Sequence, residues 1–169
     1  MESINLVFME PEKIYNKMCP CGCFDSFQDQ EIDFIKEFKY WFLALNHRQG
    51  FLGKCLLILK AHKTDEIETT DEEMLEKHKI YCLWREAVTK AFKPDKINQA
   101  QLGNEEHIHK GHLHWHFVPR YRRPIQFEGV EFKSDTAETQ KLSYTLLPKG
   151  IIHPPEMRKK IKEELLKYL

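Results

Sequence analysis

The run Lys39-Tyr-Trp-Phe-Leu-Ala-Leu45 is almost wholly apolar, and polar residues Asn46 to Gly50 end it. A second short apolar run, Cys55-Leu-Leu-Ile-Leu59, follows a segment holding Gly50 and Gly53. Short apolar runs bounded by turn residues read as buried strands, so these two predict an antiparallel pair. Ahead of them, Ile32, Phe34, Ile35 and Phe38 lie among acids and lysines and predict a short helix over Ile32 to Phe38. Thr70-Asp-Glu-Glu73 is a capping-box pattern, in which hydroxyl and carboxylate satisfy each other's backbone N–H. From there Met74, Leu75, Tyr81, Leu83, Trp84, Ala87, Val88 and Ala91 form a helical stripe that Pro94 ends. Ile97 to Leu102 and His112 to Val118 predict two more strands, after which the text turns basic and irregular. Met157, Ile161, Leu165 and Leu166 in the last segment predict an amphipathic terminal helix opened by Pro155. The order strand–strand–helix–strand–strand gives an α+β fold: an antiparallel sheet, one long packing helix and a C-terminal amphipathic helix.

Composition adds bounds to this picture. With 169 residues the chain suits a single domain around one core. Lys plus Arg and Asp plus Glu both total 26, and that balance disfavours a general nucleic-acid coat. It allows a small polyanion held by local groups. No stretch is apolar enough to span a bilayer, and the amino end has neither a basic start nor a sustained apolar run. Five cysteines, one of them (Cys55) inside an apolar run, fit reduced thiols in a cytoplasmic protein better than a disulfide framework.

The stretch that points to chemistry is His112-Leu-His114-Trp-His116-Phe-Val118. In a strand, alternate side chains share a face, so the three imidazoles stand together on one side. Leu113, Trp115 and Phe117 then pack beneath the helix, and the histidine face is expected to be open. Imidazole serves as nucleophile, general base, proton donor or metal ligand near neutral pH. The row therefore reads as a phosphoryl-type catalytic site, as a metal site, or as polar surface.

Three histidines separated by single apolar residues resemble the signature of the histidine-triad family. The flanks agree: Leu102-Gly-Asn104 precedes the row and Pro119-Arg-Tyr121 follows it, while Gly53-Lys-Cys-Leu-Leu-Ile-Leu-Lys-Ala-His62 resembles the family's glycine–strand–histidine segment. Pro124-Ile-Gln-Phe127-Glu-Gly129 with Phe132 is similar to the diadenosine-polyphosphate hydrolase-like branch. The resemblance covers about Trp41 to Phe132. It implies a single domain over 1–169, with a core at about 38–132 and a C-terminal extension at 133–169. It further implies a homodimer that hydrolyses a nucleotide at the α-phosphate, with diadenosine tetraphosphate as the expected substrate. By position, His114 would be the nucleophile that forms a nucleotidyl-histidine intermediate, and His116 would contact the phosphoryl group. His112 and His62 would form the hydrogen-bond network around it, and Asn46 and Asn104 would bind nucleotide. The covalent step needs no cofactor, although Mg²⁺ can accompany a polyphosphate. No membrane or nucleic-acid partner is expected. The alternatives are a nucleoside phosphoramidase or nucleotidyl transferase, or a non-catalytic nucleotide- or metal-binding protein.

Where relatives carry a Gly-Gln pair and a Ser or Thr before the row, this chain reads Glu105-Glu-His107-Ile-His109-Lys110-Gly111. Some relatives hold zinc near the amino end with a C-x-x-C pair. Here the spacing is Cys19-Pro-Cys21-Gly-Cys23, and the expectation is free thiols in a surface loop with no metal ligands. Arg120, Arg122 and Arg123 could clamp a polyphosphate or simply be solvated. His47, His78, His107 and His153 read as surface histidines.

Overall fold

The computed structural model describes residues 14–19, 21–24, 27, 29–102, 110–132 and 152–169. Its centre is a five-stranded antiparallel sheet. The strands are β1 (Phe34–Glu37), β2 (Trp41–Leu45), β3 (Cys55–Leu59), β4 (Lys96–Gln101) and β5 (His114–Arg120), in spatial order β1-β2-β3-β5-β4. Two short helices, α1 (Ile14–Met18) and α2 (Gln30–Asp33), precede the sheet. The long helix α3 (Asp71–Phe92) joins β3 to β4 by way of a short 3-10 turn, Glu66–Glu68. A hairpin of β6 (Ile125–Phe127) and β7 (Val130–Phe132) follows β5, and α4 (Pro155–Leu166) closes the described chain. No helix among the described residues is long and apolar enough to cross a membrane.

Strands β2 and β3 are apolar at every position because both faces of the sheet are covered. On one face Trp41, Leu43, Leu45, Leu57 and Leu59 pack with Trp84 and Val88 of α3, and Leu113 and Phe117 join them. On the other face Phe42, Ala44, Leu56 and Ile58 pack against Tyr15, Cys19, Cys23 and Phe24. The histidine face is therefore partly roofed by the amino-terminal segment instead of open. Continuous apolarity in the two central strands was the sequence trace of that second layer.

Helix α3 begins as its capping box dictates: the Glu73 N–H donates to Thr70 Oγ1 and the Thr70 N–H donates to Glu73 Oε2. Where a helix is expected over Ile32 to Phe38, α2 stops at Asp33 and Phe34–Glu37 is a strand paired with β2. Phe34 packs toward the amino-terminal cluster and Ile35 toward the α3 core, so alternation wins over helical spacing. The segment after Pro119, read as irregular, holds the β6–β7 hairpin. Glu128 and Gly129 both take positive φ at its tip (49° and 75°), the arrangement that tight two-residue hairpins require. His153, read as surface, is buried with its ring 4.7 Å from that of Phe132, and burial lowers its pKa, favouring the neutral form.

The carboxy-terminal helix is anchored by charge as well as by Ile161 and Leu165. Arg158 is 2 % exposed and donates to Asp33 Oδ2 (2.5 Å) and Asp29 Oδ2 (2.7 Å), tying α4 to α2. Burial raises the Asp33 carboxyl to about 6, and the Arg158 guanidinium only partly offsets it. A folded pKa above the unfolded value means that Asp33 contributes most to stability below about 4. That contribution is lost as pH rises through about 6. Arg158→Met should therefore cost about 3 kcal/mol or more at pH 8, where Asp33 is left ionised and unpaired. The deficit should shrink toward pH 5; urea unfolding at both pH values reads it, and a pH-independent deficit would contradict the pairing. Gly53, in the β2–β3 turn, has φ +82°, and a Cβ there would meet Phe92 Cδ2 at 2.8 Å. Gly53→Ala should lose about 1–3 kcal/mol in the same assay.

Candidate functional site

The site forms on β5, which lies between β3 and the edge strand β4. His114 pairs with Ile58 and His116 with Leu56, and Leu56 in turn lies opposite Ala44. The side chains of His114 and His116 thus rise from an apolar floor that includes Phe42, Ala44, Leu56 and Ile58. Tyr15, Phe24 and Phe27 form an aromatic cluster against Phe42 on the same side, with Tyr15 and Phe42 centroids 5.0 Å apart. The backbone ladder carries on past β2, since the Asn46 N–H donates to the Lys54 carbonyl. Asn46 lies at the His116 end of the row, and its Oδ1 accepts from the Arg48 N–H at 2.8 Å.

Hydrogen bonds to carbonyls decide the tautomers of the row. His114 Nδ1 lies 2.9 Å from the His112 carbonyl, which can only accept, so Nδ1 carries the proton. The lone pair of a neutral His114 ring is then on Nε2, 3.1 Å from His116 Nε2. For those two nitrogens to bond, His116 must be the donor. His114 is thereby oriented as a nucleophile or base, with a proton-bearing ring beside it.

His112 takes a different part from the one expected. Its Nε2–H donates to the Leu59 carbonyl at 2.6 Å, and Nδ1, as the acceptor, faces the amino-terminal segment. That nitrogen is 3.2 Å from His62 Nδ1, 3.9 Å from Cys19 Sγ and 3.8 Å from Cys21 Sγ. The structure thus brings His62 and His112 together, as the sequence suggested. It joins His112 to His114 through the backbone carbonyl, while the ring points to the thiols.

The ligand-forming atoms of Cys19, Cys21, His62 and His112 all lie within 4.8 Å of one another. Tetrahedral zinc with ordinary bond lengths separates two nitrogens by about 3.3 Å and a nitrogen from a sulfur by about 3.6 Å. The imidazole–imidazole and imidazole–thiol spacings here are close to both. Neighbouring sulfurs, Cys19 to Cys21 and Cys21 to Cys23, are 2.8 Å apart, so an ion would have to spread the loop. Cys23 supplies a further donor 3.3 Å from His62 Nδ1. Burial and the neighbouring Cys21 push the Cys19 and Cys23 thiols up to about 11 and about 12. Burial opposes ionisation of Cys21 as well, but hydrogen bonds from its two neighbours outweigh it and lower its pKa. Ionisation is thus eased at Cys21 and resisted at Cys19 and Cys23. The thiols are free as expected, but their placement in a surface loop is corrected: Cys19 and Cys23 are buried and converge with Cys21 on the two histidines. Sequence spacing missed this because His62 and His112 lie 39 or more residues away from any of the three cysteines.

The remaining residues singled out in the sequence divide. Arg120 is buried with its guanidinium carbon 4.5 Å from the Phe51 ring centroid, whereas Arg122 and Arg123 are exposed. Lys110 donates to the Cys21 carbonyl at 3.3 Å. Asn104, His107 and His109 lie outside the described residues. The roof residues Tyr15 and Phe24 carried no periodic signal; their only sequence mark was their position on either side of the cysteines.

No protein-family model and no curated protein matches the sequence. Solved structures do match. A histidine-triad protein from Sinorhizobium meliloti aligns with TM-score 0.60 and 18% identity over 82% of this chain and 92% of its own. A Hit-like protein from Bartonella henselae aligns with TM-score 0.56 and 21% identity over 81% and 86%. Diadenosine triphosphate hydrolase from Plasmodium falciparum aligns with TM-score 0.55 and 15% identity over 82% and 76%. At these identities the likeness speaks for architecture, and together with the row on β5 it leads to one conclusion: the chain has the histidine-triad fold.

Proposed function

We propose that this chain is a nucleotide hydrolase acting at an α-phosphate through a nucleotidyl-histidine intermediate, with dinucleoside polyphosphates such as diadenosine tetraphosphate as substrates. The observation that carries the reading is the fixed tautomer of His114, whose Nδ1–H is held by the His112 carbonyl. His114 Nε2 attacks the α-phosphorus, a P–N bond forms, and the bond to the bridging oxygen breaks. The departing polyphosphate oxygen takes a proton from His116 in its imidazolium form, whose Nε2 lies 3.1 Å from the attacking nitrogen. The positive charge that develops on the His114 ring is stabilised by the same carbonyl. Water then attacks phosphorus, its proton passes to His116, and the nucleotide leaves with His114 neutral again. Splitting one displacement into two lowers each barrier. A neutral nucleophile also avoids repulsion by the polyphosphate.

The apolar floor and aromatic roof beside His114 suit a nucleobase, and Asn46 and Asn104 are assigned to nucleotide binding. Mg²⁺ would accompany the substrate's phosphates and is not needed for the attack. A homodimer in the cytoplasm completes the proposal; the exposed edge strand β4 is a surface on which a second copy could pair. The thiol–imidazole cluster favours a second reading, a metal-binding protein whose row does not turn over.

Incubation with diadenosine tetraphosphate, with and without Mg²⁺, separates the two. AMP plus ATP is expected, and intact substrate after prolonged incubation would favour the second reading. His114→Ala should reduce kcat by at least about 10³-fold with little change in substrate affinity. Near-normal turnover would remove the nucleophile assignment. His116→Ala should cost about 10²–10⁴-fold, the range for a lost general acid, and less with a substrate whose leaving group needs no proton.

A further inference from the structure

We propose that Lys54 is the phosphate-binding cation of the histidine face, its ammonium holding a phosphoryl oxygen of the nucleotide between His116 and Asn46. This role deepens the hydrolase reading and rests on it for the class of substrate; the lysine's place follows from sheet register alone.

Lys54 directly precedes β3 and is only 4 % exposed. Alternation puts it on the face of Leu56 and Ile58, the floor from which the histidines rise. Its backbone is pinned: the N–H donates to the Phe51 carbonyl, and the carbonyl accepts from the Asn46 N–H and from Gln49 Nε2. Asn46 is therefore its cross-strand neighbour on the β2 side. On the β5 side Leu56 pairs with His116, so Lys54 is one diagonal step from that histidine. Diagonal neighbours on one face of a sheet are about 7–8 Å apart, a distance that long side chains bridge. Lys54 thus stands at the end of the row where Asn46 and His116 come together.

A lysine is rarely buried, because its ammonium gives up hydration, and a leucine at this position would continue the apolar floor without that cost. Other cations around the row are engaged elsewhere: Lys60 with Glu37 and the Phe38 carbonyl, Lys63 with Glu73, Lys110 with the Cys21 carbonyl, and Arg120 with the Phe51 ring. An ammonium withdrawn from water attracts an anion more strongly than one in bulk solvent. The pinned backbone spares reorganisation when the anion arrives. With the α-phosphorus over His114 Nε2, a phosphoryl oxygen turned toward the Asn46 end of the row comes within reach of Lys54. The ammonium balances its charge there, one diagonal step from the histidine that protonates the leaving group.

Calorimetry on the full chain with AMP and with adenosine, at neutral pH and one ionic strength, reads the contact. The wild type should bind AMP more tightly than adenosine. Lys54→Met should shrink that ratio by about 10-fold or more and leave adenosine affinity within about 2-fold. Lys90→Met, which removes a cation from the exposed side of α3, should leave both affinities unchanged. In the wild type, the Lys54 ¹⁵Nζ resonance, assigned by its loss in Lys54→Arg, should shift with AMP and stay in place with adenosine. That readout does not depend on a folded Met variant. On diadenosine tetraphosphate, Lys54→Met should lower kcat/KM by about 10²-fold. An unchanged AMP-to-adenosine ratio in Lys54→Met, or an Nζ signal that moves equally with both ligands, would overturn the role of Lys54. A wild type that binds AMP no better than adenosine would overturn it too, whatever the protein cleaves. A chain in which Lys54 separates AMP from adenosine but nothing is cleaved would refute the hydrolase reading and leave this role standing.

Discussion

The rest of the site depends on the bond from the His114 Nδ1–H to the backbone carbonyl of His112, the neighbour two residues earlier on the same face. A carbonyl cannot donate, so it admits only one tautomer of its partner, and it carries no charge that burial would penalise. The orienting group is part of the chain itself, and its direction is set by whatever holds residue 112. In this protein that is a buried ring gripped on one side by β3 and faced on the other by the thiols of Cys19 and Cys21 and a second imidazole. The chemistry of the row is thus tied to the packing of a segment almost a hundred residues earlier.

That packing follows from the sheet having two covered faces. Helix α3 covers one face with Trp84 and Val88, as an amphipathic helix on an antiparallel sheet should. The other face is covered by α1 and the cysteine loop, which bring little regular structure and bury aromatic rings instead. Short segments of that kind gain little from backbone hydrogen bonding and depend on side-chain anchors. Two are evident. Gln30 accepts from the Tyr15 N–H and donates to the carbonyls of Phe24 and Phe27, and Arg158 reaches from α4 to fix α2 at Asp29 and Asp33. The carboxy-terminal helix therefore supports the roof from behind, although it lies outside the histidine motif.

The charge balance of the whole chain has little bearing on the site, where the local inventory decides. Two imidazoles, an aromatic roof and apolar strand positions make up the surface around the row. The thiol of Cys21 sits beside His112, on the far side of the ring from the Leu59 carbonyl. The arginines that follow the row do not act as a unit: Arg120 stacks on Phe51, and Arg122 and Arg123 are at the surface.

The sequence by itself determined whatever depends on local period and local hydrogen bonding. The capping box placed the start of α3, the apolar runs placed β2 and β3, and the alternation from His112 to Phe117 put the histidines on one face, because side-chain direction in a strand repeats every two residues. Where two periods competed, as over Ile32 to Phe38, strand pairing with β2 decided, and no residue in the segment itself records that. The hairpin after Pro119 was hidden in a similar way: its strands have only three residues each, too few for alternation to register. The roof, the burial of His153 and the meeting of Cys19 and Cys21 with His62 and His112 were decided by tertiary structure. Each is a contact between segments tens of residues apart, made by packing against a face whose neighbours no local pattern names. The C-x-C-x-C spacing looked wrong for a metal site when taken alone; folding supplies the two imidazoles that give its sulfurs a common focus.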